Sequence, residues 1–126
     1  MGRWPLFIIL VGLALHFPGW LWHNIFHAHE GLETLRTQAV FYIATAVVLA
    51  GGIIGLTRGY EPRLRWRYAT VLGGAALETG GWIWDFAEHY AGHNSATAHA
   101  TVYVGAAIAV LGAIAIIVAR TPRTRP

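Results

Sequence analysis

A chain of 126 residues that is 56% hydrophobic and only 12% charged lies outside the range of soluble domains, which run near about 45–50% apolar and about 25% charged. With a mean hydropathy of +0.48 it needs lipid as part of its solvent, and its length allows one compact unit, residues 1–126. The absence of cysteine and lysine, with Met1 the single methionine, excludes disulfides, thiolate or thioether metal sites, iron–sulfur clusters, thiol nucleophiles and lysine Schiff bases.

Four apolar runs are long enough to cross a bilayer, which takes about 20 helical residues. The first, Trp4 to His27, follows Arg3 and resembles a signal peptide at its start. Pro18-Gly19-Trp20-Leu21-Trp22 offers no small-residue cleavage site, however, so a permanent helix is expected. The second run is Gln38 to Thr57, the third Trp66 to Tyr90 and the fourth Thr97 to Ala119.

The pI near 9.8 does not point to nucleic acid, because the arginines gather at segment ends. Arg3, Arg58, Arg63, Arg65, Arg67, Arg120, Arg123 and Arg125 all fall on one side of the four runs, and only Arg36 falls on the other. The positive-inside rule then places both termini and the middle loop in the cytoplasm, in an integral protein of the cytoplasmic membrane. Trp4 and Trp66 mark the inner interface; Trp20, Trp22, Trp82 and Trp84 mark the outer one.

An offset of 62 residues aligns the two halves without a gap. Arg3-Trp4 falls on Arg65-Trp66, Gly12 on Gly74, Gly19-Trp20 on Gly81-Trp82, His27 on His89, and Arg58 on Arg120. About 16 identities in roughly 56 positions indicate an internal repeat, residues 3–58 and 65–120. Each half is a two-helix hairpin, so both insert in the same orientation. The expected fold is an all-α integral membrane protein, a four-transmembrane-helix bundle of two tandemly duplicated hairpins related by a pseudo-two-fold axis along the membrane normal. Gly51 and Gly55, and Gly105, Ala109 and Ala113, supply small-residue spacing for close packing or for a homo-oligomer.

Seven histidines and six acids stand out in so apolar a chain. His16, His23 and His27 fall within an arc of about 40° on one face of the first helix. The duplicated positions of the third helix hold Glu78, Asp85 and His89. An ionisable group at the depth of His16 or Glu78 costs about 2.5–3.5 kcal/mol, so these two are expected to face the bundle and pair, as a second layer or proton relay. His23, His27, Asp85, His89, His93 and His99 gather toward the outer side as candidate metal ligands, with imidazole and carboxylate projecting from facing helices. A nitrogen and oxygen donor set suits copper(II), iron or zinc. His29, Glu30, Glu33 and Glu88 read as solvated side chains.

The run Asp85-xxx-His89 followed by His99 resembles the copper-binding run in a membrane-embedded component of the copper membrane monooxygenases of methane and ammonia oxidisers. The resemblance covers residues 85–99, and this chain has a shorter intervening segment that contains His93. It implies that such ligands can hold copper in a membrane and places copper ahead of iron and zinc.

Three uses stay open at this point. A mono- or dinuclear metal centre would serve redox or oxygen chemistry on a lipid-soluble substrate, or metal storage and delivery. His27 and His89, at one depth on facing helices, would suit a bis-His b-type haem, which leaves Asp85 and Glu78 without a use. A polar clasp without metal would suit an accessory subunit of a larger membrane complex. Transport is disfavoured because the inner half of the runs is apolar, as in Leu6-Phe7-Ile8-Ile9-Leu10-Val11. Whether the chain is an enzyme stays open as well.

Overall fold

A computed structural model describes residues 3–26, 32–58, 62–93 and 95–121, with side chains for all of these except 22–26 and 32–37. The apolar runs become four helices: α1, Trp4–Phe26; α2, Leu32–Thr57; α3, Arg65–Tyr90; and α4, Ala96–Arg120. A 3-10 turn, Pro62–Leu64, leads into α3 and buries Leu64. The main departure from the sequence expectation is α2, which begins six residues before the apolar run at Gln38. Hydropathy detects the apolar part of a helix, not the polar turns that extend it.

Local chemistry sets the α3–α4 connection. At the end of α3 the Gly92 N–H donates to the His89 carbonyl (3.0 Å) and the His93 N–H to the Glu88 carbonyl (2.8 Å). Gly92 has φ +77°, the left-handed conformation that this closing motif requires and that glycine adopts without penalty. Three residues later Ser95 starts α4, its hydroxyl accepting from the Ala98 N–H at 3.2 Å.

Consecutive helices pack antiparallel: α1 on α2, α2 on α3 and α3 on α4, with only a thin contact closing the ring between α4 and α1. Close approach relies on missing side chains. A Cβ on Gly12 would lie 2.8 Å from the Val48 nitrogen and 2.9 Å from the Ala44 carbonyl oxygen, and one on Gly74 would lie 2.7 Å from the Gly105 oxygen. The two glycines of the Gly51/Gly55 pair face different neighbours, Gly51 the Ile9 and Pro5 backbone of α1, Gly55 the Tyr68 ring of α3.

One apolar cluster contains Ile9, Val48, Leu64, Tyr68, Val71, Ala75, Ala113 and Ile116; a second, toward the other end, contains Phe41, Trp82 and Val102. The radial distribution is the reverse of a soluble bundle. Gln38, Thr45, Glu78 and Asp85 are buried, whereas Phe7, Phe17, Ile43, Trp66, Ile83, Leu111 and Val118 are exposed. Three helices, α1, α2 and α4, are long and apolar enough to cross a membrane. At 26 residues α3 has the length but not that composition, since it contains Glu78, Asp85 and Glu88.

Candidate functional site

Polar side chains enter the bundle at two levels, separated by an aromatic stack. The lower level joins three helices. His16 of α1 places Nε2 2.8 Å from Glu78 Oε1 of α3, while Thr45 Oγ1 of α2 lies 3.3 Å from the same nitrogen. With its Nδ1–H donated to the Gly12 carbonyl at 2.8 Å, the imidazole shares one proton with the carboxyl group. Thr45 in turn donates to the Phe41 carbonyl at 2.7 Å, so its oxygen is left as an acceptor toward His16. The expected His16–Glu78 pairing is thus present.

Above this level Phe41 and Trp82 stack with ring centroids 4.3 Å apart and planes at 22°. Tyr42 braces the stack, its hydroxyl donating to the Trp82 carbonyl at 3.3 Å. Glu78 and Asp85 are seven residues apart on α3, so the two polar levels are separated by about 10 Å along the helix.

The upper level centres on Asp85, which is 1% exposed. Its Oδ1 lies 3.2 Å from His99 Nδ1 of α4 and 3.4 Å from His89 Nδ1 one turn further along α3. The imidazole centroids are 5.9 Å apart and edge-to-face. Both Nδ1 atoms also contact backbone carbonyls, His89 that of Asp85 at 2.9 Å and His99 that of Ser95 at 3.0 Å. Ion-pair distance and hydrogen-bond geometry therefore disagree about Asp85. Angles decide: a proton on either Nδ1 points at a carbonyl, and neither carboxylate oxygen accepts a hydrogen bond among the described residues. A buried carboxylate in that condition costs several kcal/mol, of order 1–3 for the lost hydrogen bonding alone.

Gln38 of α2 adds to this imbalance. It is 1% exposed, and neither its amide nitrogen nor its oxygen has a hydrogen-bond partner among the described residues. It sits one turn beyond Phe41 as Asp85 sits one turn beyond Trp82, on the same side of the stack. The Tyr42 phenol is within electrostatic reach of Asp85.

Of the candidate ligands, Asp85, His89 and His99 converge. His93 is directed elsewhere: 72% exposed, it lies 3.7 Å from Glu88 Oε2, while Trp84 Nε1 donates to Glu88 Oε1 at 3.0 Å. His23 is placed in α1 by its backbone alone, and His27, with His29 and Glu30, lies outside the described residues, so the His27/His89 haem pair stays an expectation. Among the described residues no group of three or more His, Asp or Glu side chains is arranged ready to hold a metal ion. Sequence reasoning missed Gln38, Thr45 and Tyr42. A signal existed, since Gln38 and Thr45 are seven apart, the spacing of His16–His23 and Glu78–Asp85. No protein-family model matches the chain, and no curated protein or solved structure does so either.

Proposed function

We propose that the chain is an integral membrane protein of four spans, built by tandem duplication of a helical hairpin, that binds a transition-metal ion near its extracytoplasmic end. Membrane insertion is supported by the reversed radial distribution. It covers α3 as well: Trp66, Leu77, Ile83, Trp84 and Phe86 face outward, while Glu78 and Asp85 face the bundle. The duplication is supported by the offset alignment and by Gly12 and Gly74, which serve equivalent close contacts within their own hairpins. Arginine placement supports cytoplasmic termini.

The observation that carries the metal reading is the Asp85 carboxylate, buried without a hydrogen bond and with two imidazole nitrogens within 3.4 Å. Distances of 3.2 and 3.4 Å match the edge between ligands of a tetrahedral ion whose bonds are about 2.0–2.1 Å, an edge of about 3.3–3.4 Å. The imidazole tautomer decides between two states of the same atoms. With protons on Nδ1, the carbonyls take them; for both Nδ1 lone pairs to join Asp85 Oδ1 as donors, the protons move to Nε2 and the rings turn away from the carbonyls. His23, His27 and His93 are the further candidates to complete the set. Nitrogen and oxygen donors suit copper(II), zinc or iron, and the resemblance of residues 85–99 places copper first. Such a centre would serve redox chemistry on a lipid-soluble substrate or metal delivery, with His16 and Glu78 handling protons below it.

The 3.2 Å approach of His99 Nδ1 to Asp85 Oδ1 favours a second reading, a metal-free clasp in which an ion pair between these side chains ties α3 to α4. One experiment separates the two. The protein, purified in detergent without a histidine tag, is assayed for bound metal and for its visible spectrum, beside Asp85→Ala, His89→Ala and His29→Ala. Stoichiometric metal lost in the first two variants and kept in the third supports the metal centre. A colourless, folded protein that also fails to take up added copper, zinc or iron overturns it in favour of the clasp, and a Soret band overturns it in favour of haem.

A further inference from the structure

At the arginine-rich end, remote from the polar levels, the bundle does not close. A groove of about 410 Å³ runs between α1 and α4, lined by Arg3, Leu6, Phe7, Leu10, Ile117, Arg120 and Thr121. It exists because α1 and α4 are the one adjacent pair with only a thin contact. Its size is within the range of small-molecule sites, about 300–1,000 Å³. Leu6, Phe7 and Leu10 form one stripe of α1 at the helical i, i+1 and i+4 positions, and Ile117 faces them from α4.

The charges at its mouth have one sign. Arg3 and Arg120 are the only ionisable residues lining the groove, and among the described residues no carboxylate lies at this end of the bundle. Arg120 is held in place: its Nη2 donates to the Tyr68 hydroxyl at 3.0 Å. Its Nε, also buried, has no hydrogen-bond partner among the described residues. A fixed guanidinium with an unused donor, a second arginine beside it and an apolar channel below form a site for an amphiphile with an anionic head and a hydrocarbon tail.

We propose that this groove holds one anionic phospholipid of the cytoplasmic leaflet, its phosphate between Arg3 and Arg120 and the upper part of one acyl chain along Leu6, Phe7, Leu10 and Ile117. The proposal rests on the membrane reading above and not on the metal site. Guanidinium pairs suit phosphate oxygens through paired N–H donors, and basic pockets between spans on the cytoplasmic side are recognised sites for acidic headgroups. A bound lipid would also cover the seam that α1 and α4 leave open.

The test is native mass spectrometry of delipidated full-length protein in detergent, titrated with dioleoyl phosphatidylglycerol or dioleoyl phosphatidylcholine. One phosphatidylglycerol per chain should be retained in preference to phosphatidylcholine, and Arg3→Gln should weaken it about fivefold. Among the described residues the Arg3 side chain has no hydrogen bond or ion pair, so this variant stays informative if Arg120→Gln disturbs Tyr68. Leu10→Trp, which fills the channel and leaves both charges, should also reduce retention. Equal retention of the two lipids, or no change in either Arg3→Gln or Leu10→Trp, overturns the proposal. So does displacement of the lipid by inorganic phosphate at equal concentration, which would mark a free-anion site. A carbonate wash of the membranes separates this from the underlying reading. Protein that stays with the bilayer yet shows no lipid preference refutes the lipid site alone, whereas protein released into the supernatant refutes both.

Discussion

Replacing either partner of the His16–Glu78 pair by leucine should destabilise the bundle, and replacing both should cost little more than one. The 2.8 Å contact joins α1 to α3 across the bundle, with Glu78 2% exposed and His16 largely covered. In a soluble protein, removing one member of such a pair costs about 3–5 kcal/mol, because the other is left buried and unpaired. In a membrane the unfolded helices keep both groups in lipid, where they find other partners, and measured interhelical couplings average about 0.6 and reach about 1.7 kcal/mol. The pair is short and buried, which puts it at the upper end. His16→Leu and Glu78→Leu should therefore each cost about 2 kcal/mol and the double variant about 2–3, a coupling of about 1.5 kcal/mol. Glu78→Gln, which keeps a hydrogen bond to Nε2, should cost less than about 1 kcal/mol. Reversible denaturation in mixed micelles, followed by tryptophan fluorescence, measures the cycle. If the double variant equals the sum of the singles within about 0.5 kcal/mol, the two residues do not act as a pair and the two-level description of the interior fails.

Glycine substitutions should divide by location. Gly12→Ala places a methyl group 2.8 Å from the Val48 nitrogen and should cost about 1–3 kcal/mol, whereas Gly80→Ala meets nothing within 4 Å and should gain up to about 1 kcal/mol of helix propensity. The same denaturation assay reads both, and equal effects would contradict the helix packing. At the α3–α4 connection, Ser95→Ala should lose about 1 kcal/mol with the cap and Gly92→Ala about 1 kcal/mol from its positive φ. Because the Ser95 carbonyl also accepts from His99, loosening the cap should shift the His99 ring signals in NMR spectra, and unchanged signals would separate the cap from the site.

Much of this architecture is legible in the residues. Apolar runs locate all four helices, with tryptophans toward both ends of α1 and α3, since length and hydropathy are local properties. The His16–Glu78 pair is legible because two features agree, a shared helical face and a shared place in the offset alignment. What the linear chain conceals depends on packing. Gln38 and Thr45 lie within the apolar run of α2, and only the contact of α2 with α1 and α3 makes them part of the interior. His93 looks equivalent to His89 and His99 until the turn at Gly92 directs it to Glu88. The apolarity of α3 is hidden for a related reason: its average is lowered in part by Glu78 and Asp85, which are buried inside the bundle.

The central claim is that Asp85, His89 and His99 hold a metal ion, and X-ray absorption of the loaded protein tests it most directly. The account predicts nitrogen and oxygen neighbours at about 2.0–2.1 Å with multiple scattering from at least two imidazoles, reduced by one in His99→Ala and unchanged in His29→Ala. Failure to load, or a spectrum identical in His99→Ala, would contradict it.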